Sequence, residues 1–231
     1  MSLLEVEDVH TYYGESHVLE GVSLEVEEGE VVALVGRNGV GKTTTLRSIL
    51  QLTPPREGEV RYDDESLVGL DTHEVADRGV GWIPEDRRVF AHLTVEENVR
   101  LSVPPGSDEE EGLETAFEAF PDLREFADRD AGTLSGGQQQ MLSIARGLVN
   151  ENDLLLVDEP SEGLAPLIVE NVAESLQTVA EDTTLLLVEQ NLPLALDLAD
   201  RFYVVDHGQV VDEGSTEGVT TDDDRFERLS A

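Results

Sequence analysis

The sequence predicts an α/β domain carrying an inserted helical subdomain, on three observations. Short apolar runs alternate with longer amphipathic or polar stretches along most of the chain, the pattern of strands layered with helices. A glycine-rich loop separates the apolar run Val31–Val35 from a helical pattern at residues 43–52. Between residues 86 and 150 the strand pattern lapses and helical segments joined by turn-rich stretches take over. The 231 residues suffice for one sizeable domain with a full core, so the chain reads as a single domain, 1–231, with residues 86–150 as the insertion.

Taken in order, residues 3–9, 22–26 and 31–35 read as strands, and the helix at 43–52 ends at Pro54-Pro55. Residues 58–62 and 80–83 read as further strands, with a short helix at 72–77 between them. Inside the insertion, helices are expected at 95–101, at 112–119 and after Gly137, with an acidic linker at 104–112. Apolar strand runs resume at 153–157, 183–188 and 202–205, separated by helices at 167–180 and 192–198. His207-Gly208 signals a turn into a final strand at 210–213, and Asp222-Asp223-Asp224 reads as a solvated turn. There are no internal repeats.

Charge excludes several classes of partner. With 51 acidic against 15 basic residues the formal net charge is -36, which repels nucleic acid and anionic lipid. In dilute buffer that charge strains the compact state, whereas at molar salt the screening length falls to about 3 Å. The composition therefore resembles that of halophilic proteins and points to a salt-rich cytoplasm. No cysteine is present for disulfides or thiolate metal sites. There is neither a signal-peptide pattern nor an apolar run of membrane-spanning length, and a cytosolic chain is expected.

The only lysine of the chain, Lys42, lies in Gly36-Arg37-Asn38-Gly39-Val40-Gly41-Lys42-Thr43, after a strand and before a helix. This is the context of a phosphate loop. Gly36, Gly39 and Gly41 let backbone amides turn toward a triphosphate, and the helix N-terminus adds a favourable dipole. Lys42 would neutralise the β- and γ-phosphates and Thr43 would place its hydroxyl on Mg²⁺; Asn38 and Thr44 would belong to the same nucleotide cradle. A compact ammonium suits this position better than a planar guanidinium fork.

The run Leu154-Leu155-Leu156-Val157-Asp158-Glu159 is a strand ending in two carboxylates. Asp158 would hold Mg²⁺ through water and Glu159 would polarise the attacking water, since adjacent strand residues face opposite sides. Leu134-Ser135-Gly136-Gly137-Gln138 offers a hydroxyl and unhindered amides at a helix start. Taken alone such a turn is a helix cap. Beside a complete phosphate loop it implies a second triphosphate contact, made to another subunit.

These elements in this order resemble the ATP-binding subunits of ABC transporters over nearly the whole chain, with Leu134-Ser135-Gly136-Gly137-Gln138 matching that family's signature. The resemblance implies an ABC-type phosphate-loop ATPase with a mixed or parallel sheet core and an N-terminal antiparallel β part. It further implies a head-to-tail dimer in which two ATP molecules are sandwiched, each between one subunit's phosphate loop and Ser135, Gly136 and Gly137 of the other. Tyr13 matches the aromatic that stacks on adenine; the alternative for Tyr12 and Tyr13 is edge packing on a strand.

Within the family the chain is most similar to the second ATPase of branched-chain amino-acid importers, on Tyr12-Tyr13-Gly14, Gly36-Arg37-Asn38-Gly39, Pro84-Glu85-Asp86-Arg87-Arg88-Val89-Phe90, Leu93-Thr94-Val95-Glu96-Glu97-Asn98, Pro160 to Pro166 and Val188-Glu189-Gln190-Asn191. Three positions depart from the general pattern. Glu85 stands where most members carry a Mg²⁺-sensing glutamine, Gln190 replaces the switch histidine at the γ-phosphate, and Ala165 replaces an aspartate. The first two are shared by the branched-chain subgroup. Gln190 can still donate a hydrogen bond but cannot titrate near neutrality. An anionic Glu85 could take metal or water and would repel a close γ-phosphate.

The resemblance implies a peripheral subunit on the cytoplasmic face of the membrane. Its partners would be two transmembrane permeases, a second and different ATPase chain and, indirectly, an extracellular solute-binding protein; in isolation the chain could pair with itself. Similar ATPases serve branched-chain amino acids, amides and urea, and Glu85 tilts the reading toward amino acids. A soluble ABC ATPase acting on DNA or ribosomes would need basic surface and a coiled-coil insertion or a second ATPase domain; this chain has none of these.

Overall fold

The computed structural model describes residues 2–150 and 152–226. They gather into two compact units, the first built from the segments up to residue 80 and from residue 184, the second from residues 81–183. The expected insertion at 86–150 falls inside the second unit.

The first unit opens with an antiparallel hairpin of β1 (Ser2–Tyr13) and β2 (Ser16–Glu27). In β2 the residues Leu19, Val22, Leu24 and Val26 are buried while Glu20, Ser23, Glu25 and Glu27 face out, the alternation of a sheet wetted on one side. Both strands outrun the expected 3–9 and 22–26, because their polar ends carry little apolar signal and are extended by pairing with each other. β3 (Val31–Val35) is buried along its full length, as a central strand covered on both faces must be. It leads through the glycine-rich loop into α1 (Lys42–Ile49). β4 (Glu57–Tyr62) pairs antiparallel with β1, β5 (Glu65–Ser66) follows on its edge, and α2 (Thr72–Ala76) completes this segment.

The second unit contains β6 (Val80–Ile83), α3 (Val95–Arg100), α4 (Glu109–Ala119), α5 (Pro121–Glu125), α6 (Gly136–Leu148), β7 (Leu154–Asp158) and α7 (Pro166–Ala180), with β6 beside β7. The acidic stretch expected to be linker as far as residue 112 instead begins α4 at Glu109. Asp108 caps it by accepting from the Glu110 amide at 2.9 Å, and acids in a first turn favour the helix dipole. The short α5, opened by Pro121, was not expected. Val95 and Val99 are fully buried, and the buried Asn98 binds the loop before α3 by accepting from Phe90 N and donating to the carbonyls of Phe90 and Thr94.

The first unit resumes with β8 (Thr184–Glu189), α8 (Leu192–Leu198), β9 (Arg201–Asp206) and β10 (Gln209–Ser215). β3 pairs in parallel with β8 on one side and β9 on the other, and β10 closes antiparallel against β9. This unit therefore holds an antiparallel sheet, β2-β1-β4-β5, and a mixed set ordered β10-β9-β3-β8. Among the described residues no helix is long and apolar enough to cross a membrane.

Candidate functional site

In the first unit, local sterics shape the loop between β3 and α1. Gly41 has φ 115°, and a Cβ there would lie 2.7 Å from Leu19 Cδ2; a Cβ on Gly36 would lie 2.7 Å from the Val205 carbonyl oxygen. Side chains at these points would force the backbone away from its neighbours. Lys42 is 3 % exposed, and its ammonium donates to the carbonyls of Gly36 at 2.8 Å and Arg37 at 3.0 Å. The loop is pinned from both sides, with Gly36 N donating to Glu189 O and Gly208 N to Val40 O. Gln190 follows Glu189 directly and is exposed, so β8 delivers it to the base of this loop.

The N-terminus of α1 is suited to an anion. It has no side-chain cap and no acid in its first turn, leaving the helix dipole uncompensated. The whole stretch 31–56 is free of Asp and Glu in a chain with 51 of them, and its loop and helix hold Arg37, Lys42 and Arg47. A triphosphate fits this cradle on glycine geometry, dipole and charge alike.

Tyr13 ends β1 at the turn through Gly14 and Glu15 and is 43 % exposed. Burial works to raise its phenol pKa, but hydrogen bonds from Thr53, Arg47 and Thr44 prevail and lower it. Tyr12 is occupied on both faces: the His17 ring stacks on it at 4.1 Å and 3°, and the Arg56 guanidinium lies 4.3 Å from its centroid. Of the two tyrosines, Tyr13 is the one with a ring open to a ligand.

The second unit carries the carboxylates. Asp158 closes β7 and is 1 % exposed; Glu159 is 8 % exposed. Glu159 lies just past the strand with φ 45°, so its direction comes from a left-handed residue and not from the strand alternation the sequence suggested. Such a backbone in a glutamate costs of order 1–3 kcal/mol. Glu85 is exposed after β6, and its carboxyl pKa is raised to about 7 by a hydrogen bond with Glu162, by burial and by the charges of Glu162, Asp158 and Glu159. Glu162 lies in a segment that marks the resemblance, but residue order gave it no role; its interest lies in meeting Glu85. Hard carboxylate oxygens such as those of Asp158 and Glu85 are the donors Mg²⁺ takes, one or two at a time beside its waters and phosphate oxygens.

Ser135 caps α6: its hydroxyl accepts from Gln138 N at 3.3 Å and its amide donates to Gln138 Oε1 at 2.9 Å. Ser135 and Gly136 are exposed. An added Cβ would lie 3.0 Å from Arg87 Nη1 at Gly136 and 3.4 Å from Ile168 Cγ1 at Gly137. Ala165 caps α7 without any side-chain bond. A cavity of about 620 Å³ in this unit, between Phe120, Met141 and Val179, contains none of the expected site residues.

A buried parallel strand, a glycine loop with a buried lysine and an uncapped helix start together define a phosphate-loop nucleotide-binding protein. The family follows from comparison with known proteins. The ABC transporter family model matches residues 19–162, and the chain belongs to that family. It is 43% identical over 212 residues, 90% of this chain and 91% of the relative, to the high-affinity branched-chain amino acid transport ATP-binding protein BraG of Pseudomonas aeruginosa. It is 36% identical over 231 residues, 98% of each chain, to the probable branched-chain amino acid transport ATP-binding protein LivF of Archaeoglobus fulgidus. Among solved structures, the ADP conformation of MJ1267, an ATP-binding cassette of an ABC transporter, matches with TM-score 0.83 and 29% identity over 100% of this chain and 98% of that one. The fold is that of the ABC ATPases, and the chain is a Mg²⁺-dependent ATPase of this family.

Proposed function

We propose that the chain powers import of branched-chain amino acids as one of two ATPase subunits of a membrane transporter. The observation that carries the cargo is its likeness, end to end, to two branched-chain amino acid transport ATP-binding proteins. The subunit rests on the cytoplasmic face against two permeases and pairs with a second, different ATPase chain. An extracellular solute-binding protein acts with the permeases and does not touch this chain.

In this reading Tyr13 stacks on adenine while Gly36, Asn38, Gly39, Gly41, Lys42, Thr43 and Thr44 hold the phosphates. Thr43, Asp158 and Glu85 hold Mg²⁺, which when bound neutralises phosphate charge. Glu159 orients and polarises the attacking water, and Gln190 donates its amide toward the γ-phosphate. Ser135, Gly136 and Gly137 reach the nucleotide held by the partner ATPase. Catalysis is then positioning and charge stabilisation.

The test is capture of tagged Glu159→Gln protein from its own detergent-solubilised membranes, in ATP and high KCl, with identification of the associated chains. Two permeases and a second ATPase are the expected result. Recovery of soluble chains alone would overturn the transporter assignment and leave the nucleotide chemistry standing.

A further inference from the structure

We infer that Arg56 is a positioning residue for recognition of the nucleotide base, holding the β1–β2 turn so that Tyr13 presents an open ring. The inference rests on the reading of Tyr13 given above.

Arg56 grips both neighbours of Tyr13 in sequence. Its Nη2 donates to the Gly14 carbonyl at 2.5 Å, and its guanidinium covers the Tyr12 ring at 4.3 Å. Its own amide donates to the His10 carbonyl at 2.8 Å, which fixes the root of the side chain against β1. With His17 on the opposite face of Tyr12, that ring is clamped, and the two-residue turn beyond it has one anchored carbonyl. As a second tie, Thr53 Oγ1 donates to the Tyr13 hydroxyl oxygen at 3.5 Å, and Thr53 N donates to Arg47 O at the end of α1. The tyrosine ring is thereby set at a fixed height over the helix that begins at the phosphate loop.

The chemistry of Arg56 fits this task. In a chain with 51 acidic residues, the exposed Arg56 forms no ion pair with a carboxylate among the described residues and takes a carbonyl and an aromatic face instead. A planar fork can stack and donate at once; an ammonium at the end of a lysine stem cannot do both. An exposed turn would otherwise sample many conformations, and each one that turns Tyr13 away lowers the competent fraction and weakens base binding in proportion.

The test is calorimetric binding to the full chain in high KCl, with Mg-ATP and, as a probe lacking the base, tripolyphosphate. Arg56→Ala is expected to weaken Mg-ATP several-fold to about tenfold, within the range that loss of a base–aromatic stack spans. Tripolyphosphate affinity and the melting midpoint should stay unchanged, and Arg56→Lys should restore part of the loss. In a Tyr13→Ala background, Arg56→Ala should cost nothing more. Equal weakening of ATP and tripolyphosphate, or a full additional loss in the Tyr13→Ala background, would overturn the inference. So would an unchanged Mg-ATP affinity in Arg56→Ala when Tyr13→Ala binds weakly. If Tyr13→Ala itself binds Mg-ATP normally, the reading of Tyr13 falls first and takes this inference with it.

Discussion

The ammonium of Lys42 donates to the carbonyl of Gly36 at 2.8 Å, so the chain's only lysine folds back onto the residue that opens the phosphate loop. A buried cation must find acceptors, and here the backbone supplies them. The triphosphate offers better, anionic acceptors to the same donor.

Lys42→Ala should therefore abolish ATP hydrolysis, by at least the roughly 10²–10³-fold that loss of one transition-state donor costs. Lys42→Arg should not restore it, because the wider guanidinium cannot take the ammonium's place between β- and γ-phosphates. Steady-state phosphate release measures both.

Glu159→Gln should bind ATP, dimerise and fail to turn over. The loss expected from removing a general base is about 10²–10⁴-fold. Phosphate release together with sizing in ATP checks both halves, and near-normal turnover would remove Glu159 from the role.

Glu85 predicts a pH effect on the nucleotide-free chain. Its folded-state pKa is raised from 4.5 to about 7, so the fold binds this proton more tightly than the unfolded chain does. The resulting stability is complete below pH 4.5 and is lost as pH rises through about 7. Glu85→Gln, which keeps a neutral hydrogen-bonding group beside Glu162, should flatten this part of the curve. Denaturant midpoints measured across the window in both proteins decide it.

Salt should stabilise the fold. A net charge of -36 repels itself, and the Debye length shrinks from about 10 Å at 0.1 M to about 3 Å at 1 M. The melting midpoint is expected to climb with KCl over this range; a flat or falling curve would show that the charge is not limiting.

Much of this was legible from residue order alone. β3, the phosphate loop and β7 are local patterns: apolar strands buried on both faces write continuous Val and Leu runs, and tight loops write glycine. The hairpin's full length was not legible, since residues 10–13 and 16–20 are strands only because they pair with each other. The acids starting α4 looked like linker because charge alone does not distinguish a solvated turn from a capped first turn. Glu162 and Arg56 drew no role from residue order alone, the one meeting Glu85 from 77 positions away and the other meeting Tyr12 and Gly14 from 44 and 42 positions away.

The sequence by itself determined the class of chemistry, because a phosphate loop needs particular residues at fixed short spacings and nothing else satisfies the geometry. Only the tertiary structure decided which tyrosine keeps an open face, that Glu159 leaves its strand in a left-handed conformation, and that Glu85 shares a hydrogen bond with another carboxyl. These are properties of residues distant in sequence or of backbone dihedrals, and burial and charge at a point in space depend on every element packed around it.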